Sequence, residues 1–542
     1  MPKKGKSKKK AEKPTTPFKE LQKKHKLEEK EARKKARLEK RLEHVEKELT
    51  TITKGEEPEL ATVERQKEEI KKLREEIQTE KPKANIKFIY ALIAAIVFLA
   101  ILAIPHATIP GLSIMGQRAI AIFALIFILW ITEAIPLAVT ALIPGALLVL
   151  LGIRPDPTEA FKTYAHPAVF FVIGSLIIAH ALVQSGLTKR ISYTLISKSK
   201  GKPGRLMFMF IALAAIFSAF VSDHLMAALL IPVVVSIIAL TDMKSKFRTA
   251  LLLSVAFGAG LGGLASPSGG ARNVIALGLL QELTGQQIAY FEWMRAAFPL
   301  MLSMIFVVWI VLRVVFSPDH VNLRPAMKEV EKHVKPLNAV QWKALIVFAL
   351  TVILFIFTSN LIGLGTVAIL GAILMFFTGA LTWDEARKRV TWGIMFVYGA
   401  AITMGIALME TGAAEWLAQN FLNFMPTNNP FALLFGVVLL SVILTNFMSD
   451  GAASSILAPI SITLALLAGL NPRLFAIATA IPCTFSLMTV FGTPPNLIAY
   501  ETGYLKMRDF AKAGSIVIVA AVFILYLLTR YYWPLIGFSM YV

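Results

Sequence analysis

A chain of 542 residues that is 56% hydrophobic and 17% charged, with a mean hydropathy of +0.63, lies far outside the composition of a soluble globular domain; it reads as an all-α polytopic membrane protein. The single cysteine, Cys483, excludes an intrachain disulfide and a cysteine-bound metal cluster. The net charge of +21 is uneven, with 28 Lys and Arg against 18 acidic residues in 1–87, so the chain divides into a basic extension, 1–87, and an apolar membrane domain, 88–542.

In the extension, Leu38, Leu42, Val45, Leu49 and Ile52 fall at spacings of four and three, and Leu60, Val63, Ile70, Leu73 and Ile77 form a second stripe. A charged helical hairpin on the cytoplasmic side is expected, with a basic tail on anionic lipid as the alternative. No nucleic-acid partner is expected. The first apolar stretch begins near Phe88, too late for a cleaved signal peptide.

Apolar segments then recur from 88–108 to 512–533, and two are awkwardly long. Arg205 to Leu240 would make a straight helix of about 50 Å, against a hydrocarbon core of about 30 Å. Split at Ser222-Asp223-His224, it leaves arms of about 16 residues, short against the ~20 that span a bilayer. A re-entrant helical hairpin is therefore expected here, and another at Asn429 to Leu470, split at Ser449-Asp450-Gly451. Lys198, Lys200, Lys202 and Arg205 precede the first hairpin and Lys244, Lys246 and Arg248 follow it, whereas the flanks of the second carry only Arg473. By the positive-inside rule the two enter from opposite faces, which gives about eleven spans, a cytoplasmic N-terminus and an external C-terminus in a cell membrane.

The halves also match in sequence. "FVIGSLIIAHALVQSGL" at Phe171 answers "FVYGAAITMGIALMETGA" at Phe396, each hairpin follows, and "SPSGGARN" ending at Asn273 answers "FGTPPN" ending at Asn496. Equivalent segments with opposite loop charge imply an inverted-topology repeat, about 116–316 and 341–533, and matching broken helices in such repeats point to a transport site. Their Gly and Pro residues expose backbone at membrane depth, which is tolerated only where it is enclosed by protein or lines a cavity.

With "WITEAIPLAVTALIP" at Trp130–Pro144, the paired hairpins and "GTPPN" at Gly492–Asn496, residues 88–542 resemble the divalent anion/sodium symporter family. The resemblance implies an elevator-type homodimer carrying di- or tricarboxylates or sulfate. It implies a Ser-Asn-Thr triplet at each tip, matched here by Ser222-Asp223-His224 and Ser449-Asp450-Gly451. It also implies coupling-ion shells at Ser218, Asp223, Gly269 and Gly270 and at Thr445, Asp450 and Gly492. Substrate contacts are implied at Ser222, His224, Arg272, Asn273, Ser449, Gly451, Thr493, Pro494 and Asn496. The chain departs from the family pattern at both aspartates, at His224 and Gly451, and at Arg272.

Two mid-membrane carboxylates are costly and need neutralising. Sodium ions or protons would do so, and Arg272 could then clamp an anion; the bland alternative pairs Asp223 with His224 or Arg272. His166 and His180 read as packed residues. No P-loop, HExxH, haem or flavin signature occurs, so neither enzymatic chemistry nor a cofactor beyond coupling ions is expected. The leading expectation is a secondary transporter of small anions. A cation/proton antiporter of the same fold and, more remotely, an intramembrane aspartyl protease are the alternatives.

Overall fold

The structure, a computed structural model, describes residues 86–187, 190, 198–199, 202–239, 245–316, 323, 336–390, 392–424, 429–490 and 492–541. The expected cytoplasmic hairpin in 1–87 lies outside the described residues but for the last two, and so do most of the basic loop at 317–335 and the loop stretches 240–244 and 425–428. Where the chain is described, 81% of it is helical and no strand occurs, as its apolar composition requires: in lipid a helix satisfies its own backbone groups.

Eight helices among the described residues are long and apolar enough to cross a membrane, or nine if Trp383–Arg389 and Ile394–Glu410, bent by 60°, form one span. The expected eleven is a different count, since it leaves out the hairpin arms: three of the eight are such arms, and the stretches 88–108, 136–153 and 362–380 form the shorter helices Lys87–Ala103, Leu137–Leu150 and Leu364–Phe377. Two further apolar segments are unwound in the middle.

Eight elements build the centre. In the first half, α1 (Pro203–Val221) breaks at Ser222 into α2 (Asp223–Ala239), and α3 (Ser245–Gly262) unwinds through a 3-10 turn at Pro267–Gly269 before α4 (Ala271–Thr284). In the second half, α5 (Pro430–Phe447) breaks at Met448-Ser449 into α6 (Asp450–Leu467), and α7 (Pro472–Ala480) unwinds through Pro482–Thr484 before α8 (Pro494–Glu501). The four arms run to 19, 17, 18 and 18 residues, the first pair a little longer than expected because α1 starts at Pro203, before Arg205, and α2 takes in Asp223 and His224. Three of them, α1, α5 and α6, are long enough to cross on their own. Arm length therefore does not by itself require a re-entrant return.

The halves interlock. α2 packs on α8 and α4 packs on α6, so the second arm of each pair meets the other half's unwound helix. Ser454 on α6 donates to the carbonyl of Arg272 at the start of α4 at 2.9 Å. α1 and α3 approach backbone to backbone, because Gly258 and Gly262 present no side chain on the shared face; a Cβ on Gly262 would lie 2.2 Å from the Ala215 carbonyl oxygen. Outside this centre, Pro167–Gln184 packs along Leu364–Phe377, and Ile394–Glu410 packs against α4 and α6. His166 and His180 are buried as expected, His166 held at 2.9 Å from Glu282.

Candidate functional site

Each unwound segment is stapled by a matched asparagine, and the second also by Asn446, which donates to the Phe485 carbonyl at 3.0 Å and accepts from the Met488 N–H at 3.2 Å. The Asn273 side-chain amide donates to the carbonyls of Gly263 and Ser266 at 2.8 and 2.7 Å. Asn496, 223 residues later, donates to those of Ser486 and Thr489 at 2.9 Å each. Hydroxyls on the preceding arms match as well: Ser218 donates to the Ala259 carbonyl and Thr445 to that of Cys483, both at 2.6 Å. The asparagine bonds satisfy backbone carbonyls within the breaks, whereas the Ala259 carbonyl, still inside α3, also accepts from the Gly263 N–H at 3.2 Å. The sequence match between the halves is thus a match of hydrogen-bond geometry.

At the breaks, each aspartate turns back on its own helix start. Asp223 Oδ1 accepts from the His224 backbone N–H at 2.7 Å, and Asp450 Oδ1 accepts from that of Gly451 at 2.6 Å. The other oxygen of each carboxylate goes to one shared partner. Arg272, fully buried, donates from Nη1 to Asp223 Oδ2 at 3.1 Å and also to Asp450 Oδ2, while its Nε donates to Thr484 Oγ1 at 2.9 Å. Residues 223, 272 and 450 thus form one carboxylate–guanidinium–carboxylate bridge joining the tips. This is how apolar helices accept two aspartates: desolvating them is offset by charge-assisted bonds to a common cation.

In front of the bridge lies a cavity of about 190 Å³. The starts of α2, α4, α6 and α8 all reach it, through Asp223 and His224, Gly270 and Ala271, Asp450 and Gly451, and Pro494. Ser175, Ser222, Ser268 and Ser449 add hydroxyls, and Trp130, Leu137, Phe171, Leu176 and Tyr398 supply apolar walls. His224 shares a 2.7 Å hydrogen bond with Ser222 through Nδ1. Four helix N-termini converging on a small cavity favour negative charge within it.

The expected site residues therefore fall into two groups. Ser222, Asp223, His224, Gly270, Ser449, Asp450, Gly451 and Pro494 line the cavity. Arg272, Asn273, Thr493 and Asn496, expected at the substrate, do not line it but are enclosed behind it, with Ser218, Thr445, Gly269 and Gly492. For Arg272 the reason is electrostatic, since both carboxylates draw the guanidinium inward. Behind the cavity, Ser486 Oγ, Thr489 Oγ1, Thr493 Oγ1 and Asn496 Oδ1 are buried with no hydrogen-bond partner among the described residues. Hard, unsatisfied oxygens of this kind could hold an alkali cation.

Sequence reasoning missed Thr484, Tyr398 and Ser175. Tyr398 and Ser175 were within reach, because Phe171, Val172 and Ser175 line the cavity from one of the matched segments and Val397 and Tyr398 from the other. Trp130 and Leu137 bring "WITEAIP" to the cavity rim, where the preceding helix ends and Glu133 takes a left-handed backbone (φ 44°).

Residues 85–539 match the sodium:sulfate symporter transmembrane region. The chain is 27% identical over 457 residues, covering 78% of it and 87% of its relative, to the sodium-dependent dicarboxylate transporter SdcS of Staphylococcus saprophyticus. In fold it is similar to MtrF of Neisseria gonorrhoeae, of a class described as antimetabolite efflux pumps (TM-score 0.52, 13% identity, 74% of this chain and 94% of that one). It is also similar to the YdaH transporter of Alcanivorax borkumensis (TM-score 0.51, 14% identity, 76% and 99%). A family match across nearly the whole described chain, on a fold shared with transporters, makes this protein a member of the divalent anion/sodium symporter family, a membrane transporter and not an enzyme.

Proposed function

We propose that this protein is a secondary transporter of a small anion of the di- or tricarboxylate or sulfate class, driven by sodium. The observation that carries the reading is the cavity where four helix N-termini from two matching halves converge, with four serine hydroxyls set among apolar walls. Its volume of about 190 Å³ suits a few-atom solute rather than a drug-sized one, whose pockets run to about 300–1,000 Å³. An anion in it would meet the hydroxyls of Ser222 and Ser449, the imidazole of His224 and the helix N-termini. The Arg272 bridge holds the tips at the spacing those contacts need.

In this reading the two broken arm pairs are re-entrant hairpins of an inverted repeat, and the cavity moves across the membrane with them as one body while the helices around it stay with a homodimer scaffold. Sodium binds through hydroxyl, amide and backbone oxygens behind the cavity and lowers the net negative charge that would otherwise repel the anion. A likeness to sodium-dependent dicarboxylate transporters supports both the ion and the cargo class.

One observation favours a second reading. The cavity wall carries Asp223 and Asp450 while Arg272 stays behind it, so the arginine, neutralised by both carboxylates, does not repel a cation there. A cation/proton antiporter would use such a wall. Proteoliposome uptake separates the two: labelled succinate, citrate and sulfate are offered with an inward sodium gradient, a pH gradient or neither. Accumulation of at least one anion under the sodium gradient is expected. Sodium/proton exchange with no anion uptake would replace this reading by the antiporter.

A further inference from the structure

Superposing the two unwound segments by sequence offset sets Gly263, Ser266, Gly270, Arg272 and Asn273 against Ser486, Thr489, Thr493, Pro495 and Asn496, each pair 223 residues apart. The asparagines do the same work in both halves. Their neighbours do not. In the first half the two glycines flank the Arg272 guanidinium: a Cβ on Gly263 would lie 2.5 Å from Nη2, and one on Gly270 2.7 Å from Cζ. Side chains at either position would displace the arginine head. In the second half the same two positions carry Ser486 and Thr493, whose hydroxyls are buried and unpartnered, and Pro495 supplies no charge.

The remaining pair follows the same division. Ser266 donates to the Ala219 carbonyl and bonds Ser268 and Tyr290, so its hydroxyl is satisfied. Its counterpart Thr489 has no partner among the described residues. In the first segment Asn273 Oδ1 alone is buried and unpartnered; in the second, four side-chain oxygens are. Buried polar atoms are ordinarily paired, and a cluster that is not marks an ion or water. Charge points the same way. Two carboxylates and one guanidinium leave a single net negative charge at the tips, which one monovalent cation cancels.

We propose that the Arg272 guanidinium is a tethered counter-ion that takes the place of a coupling ion in the first repeat, and that the transporter binds a single sodium, in the second-repeat loop formed by Ser486, Thr489, Thr493 and Asn496. The inference rests on the sodium-coupled transport reading and refines it. The first repeat has traded two side chains for glycines to admit a fixed cation; the second keeps oxygens for a mobile one. A fixed charge cannot be released at the far side of the membrane, so it neutralises the tips without adding to the ion gradient that drives uptake.

The test is a sodium titration of the purified full-length protein, read as the midpoint of thermal unfolding in detergent, with choline replacing sodium at constant ionic strength. A ligand that binds only the folded state raises the midpoint along its own binding curve. A saturable rise with a Hill coefficient of about 1 is expected. Thr493→Val, which keeps the shape and removes the hydroxyl, should move half-saturation at least ~10-fold higher. Arg272→Gln should make the titration steeper than one site, since it vacates the first position. The wild-type and Thr493→Val curves stand even if Arg272→Gln does not fold. A wild-type Hill coefficient approaching 2, an unchanged Thr493→Val curve, or no sodium-specific rise would each overturn the proposal. Anion uptake driven by a pH gradient alone, beside a midpoint insensitive to sodium, would sink this inference and leave anion transport standing; a single-site response without anion uptake would do the reverse.

Discussion

The two breaks that carry the aspartates are built differently. At the first, the chain turns through Ser222 at φ 98° and ψ 135°, a region that side-chain-bearing residues rarely occupy; at the second it turns through Ser449 at φ −64° and ψ 147°, an ordinary extended residue that caps α6 through its hydroxyl. A strained non-glycine residue persists where its surroundings over-determine it. Around Ser222 those surroundings are the bond to His224 and the Asp223 bond to Arg272. The second tip has backbone support of its own, since the Asp450 N–H donates to the Gly492 carbonyl at 3.2 Å. A strained tip held by side chains therefore faces a relaxed one held by backbone, with a single guanidinium tied to both.

Removing that tie is the strongest way to break the contrast. Arg272→Ala leaves two buried carboxylates without their cation, and loss of one partner of a buried pair costs about 3–5 kcal/mol. Thermal unfolding in detergent should fall accordingly. Adding Asp223→Asn should recover part of the loss, and by more than Asp450→Asn does, because the first tip holds a strained backbone through side chains whereas the second has an ordinary backbone and the Asp450 N–H bond to Gly492 as well. Equal recovery from both would mean that the tips depend on the bridge to the same degree.

Close packing of α1 on α3, behind the strained tip, is next in size. Gly262→Ala puts a methyl 2.2 Å from the Ala215 carbonyl oxygen, and overpacking of this kind costs about 1–3 kcal/mol. Gly260, two residues away, has open space around its Cβ position, so Gly260→Ala should change the unfolding midpoint far less. If the two alanines behave alike, backbone contact does not set the position of the first tip.

Much of this arrangement is legible in the sequence. A charged pair inside an apolar run marks a break because nothing else makes it tolerable, and Asp223 and Asp450 both sit at helix starts. The asparagines matched because a staple for an unwound helix needs both a side-chain amide and a fixed offset. Arg272 is legible as a departure, and its pairing with Asp223, one of the two alternatives read there, is found; its second partner, Asp450, is not legible, since a bond spanning 178 residues leaves no periodicity behind. Thr484 is silent for the same reason. The exchange of Gly263 and Gly270 for Ser486 and Thr493 was present in the aligned halves, but a glycine that admits a guanidinium looks like any loop glycine until the side chain beside it is placed. Arm lengths in the first pair read a little short because α1 starts before Arg205 and α2 takes in Asp223 and His224, which the split sets aside.

Ser218 and Thr445 offer a finer comparison. Each donates one buried hydrogen bond at 2.6 Å, Ser218 to the Ala259 carbonyl in the last turn of α3 and Thr445 to the Cys483 carbonyl in the 3-10 turn, so Ser218→Ala and Thr445→Val should each cost about 1 kcal/mol, within the usual spread for such a bond. Matching losses in unfolding would establish that the two staples are energetically equivalent and that the asymmetry lies at the tips alone. A loss several times larger on one side would place part of the asymmetry in the arms.

The smallest effect bears most directly on the strain. Ser222→Thr and Ser449→Thr both keep the hydroxyl and add one methyl, so they differ only in what the backbone allows. At Ser449 the extended conformation suits a β-branched cap, and threonine replaces serine there for a few tenths of a kcal/mol. At Ser222 a β-branched residue at positive φ is a conformational outlier, and the added strain should cost about 1 kcal/mol or more. Ser222→Gly relieves that strain, which offsets the loss of the His224 bond and the entropy of glycine in the unfolded chain, so its midpoint should lie above that of Ser222→Thr. Chemical unfolding of the three variants side by side decides the matter. If Ser222→Thr is as stable as Ser449→Thr, the first tip is not strained, and the difference between the two breaks is one of shape without an energetic consequence.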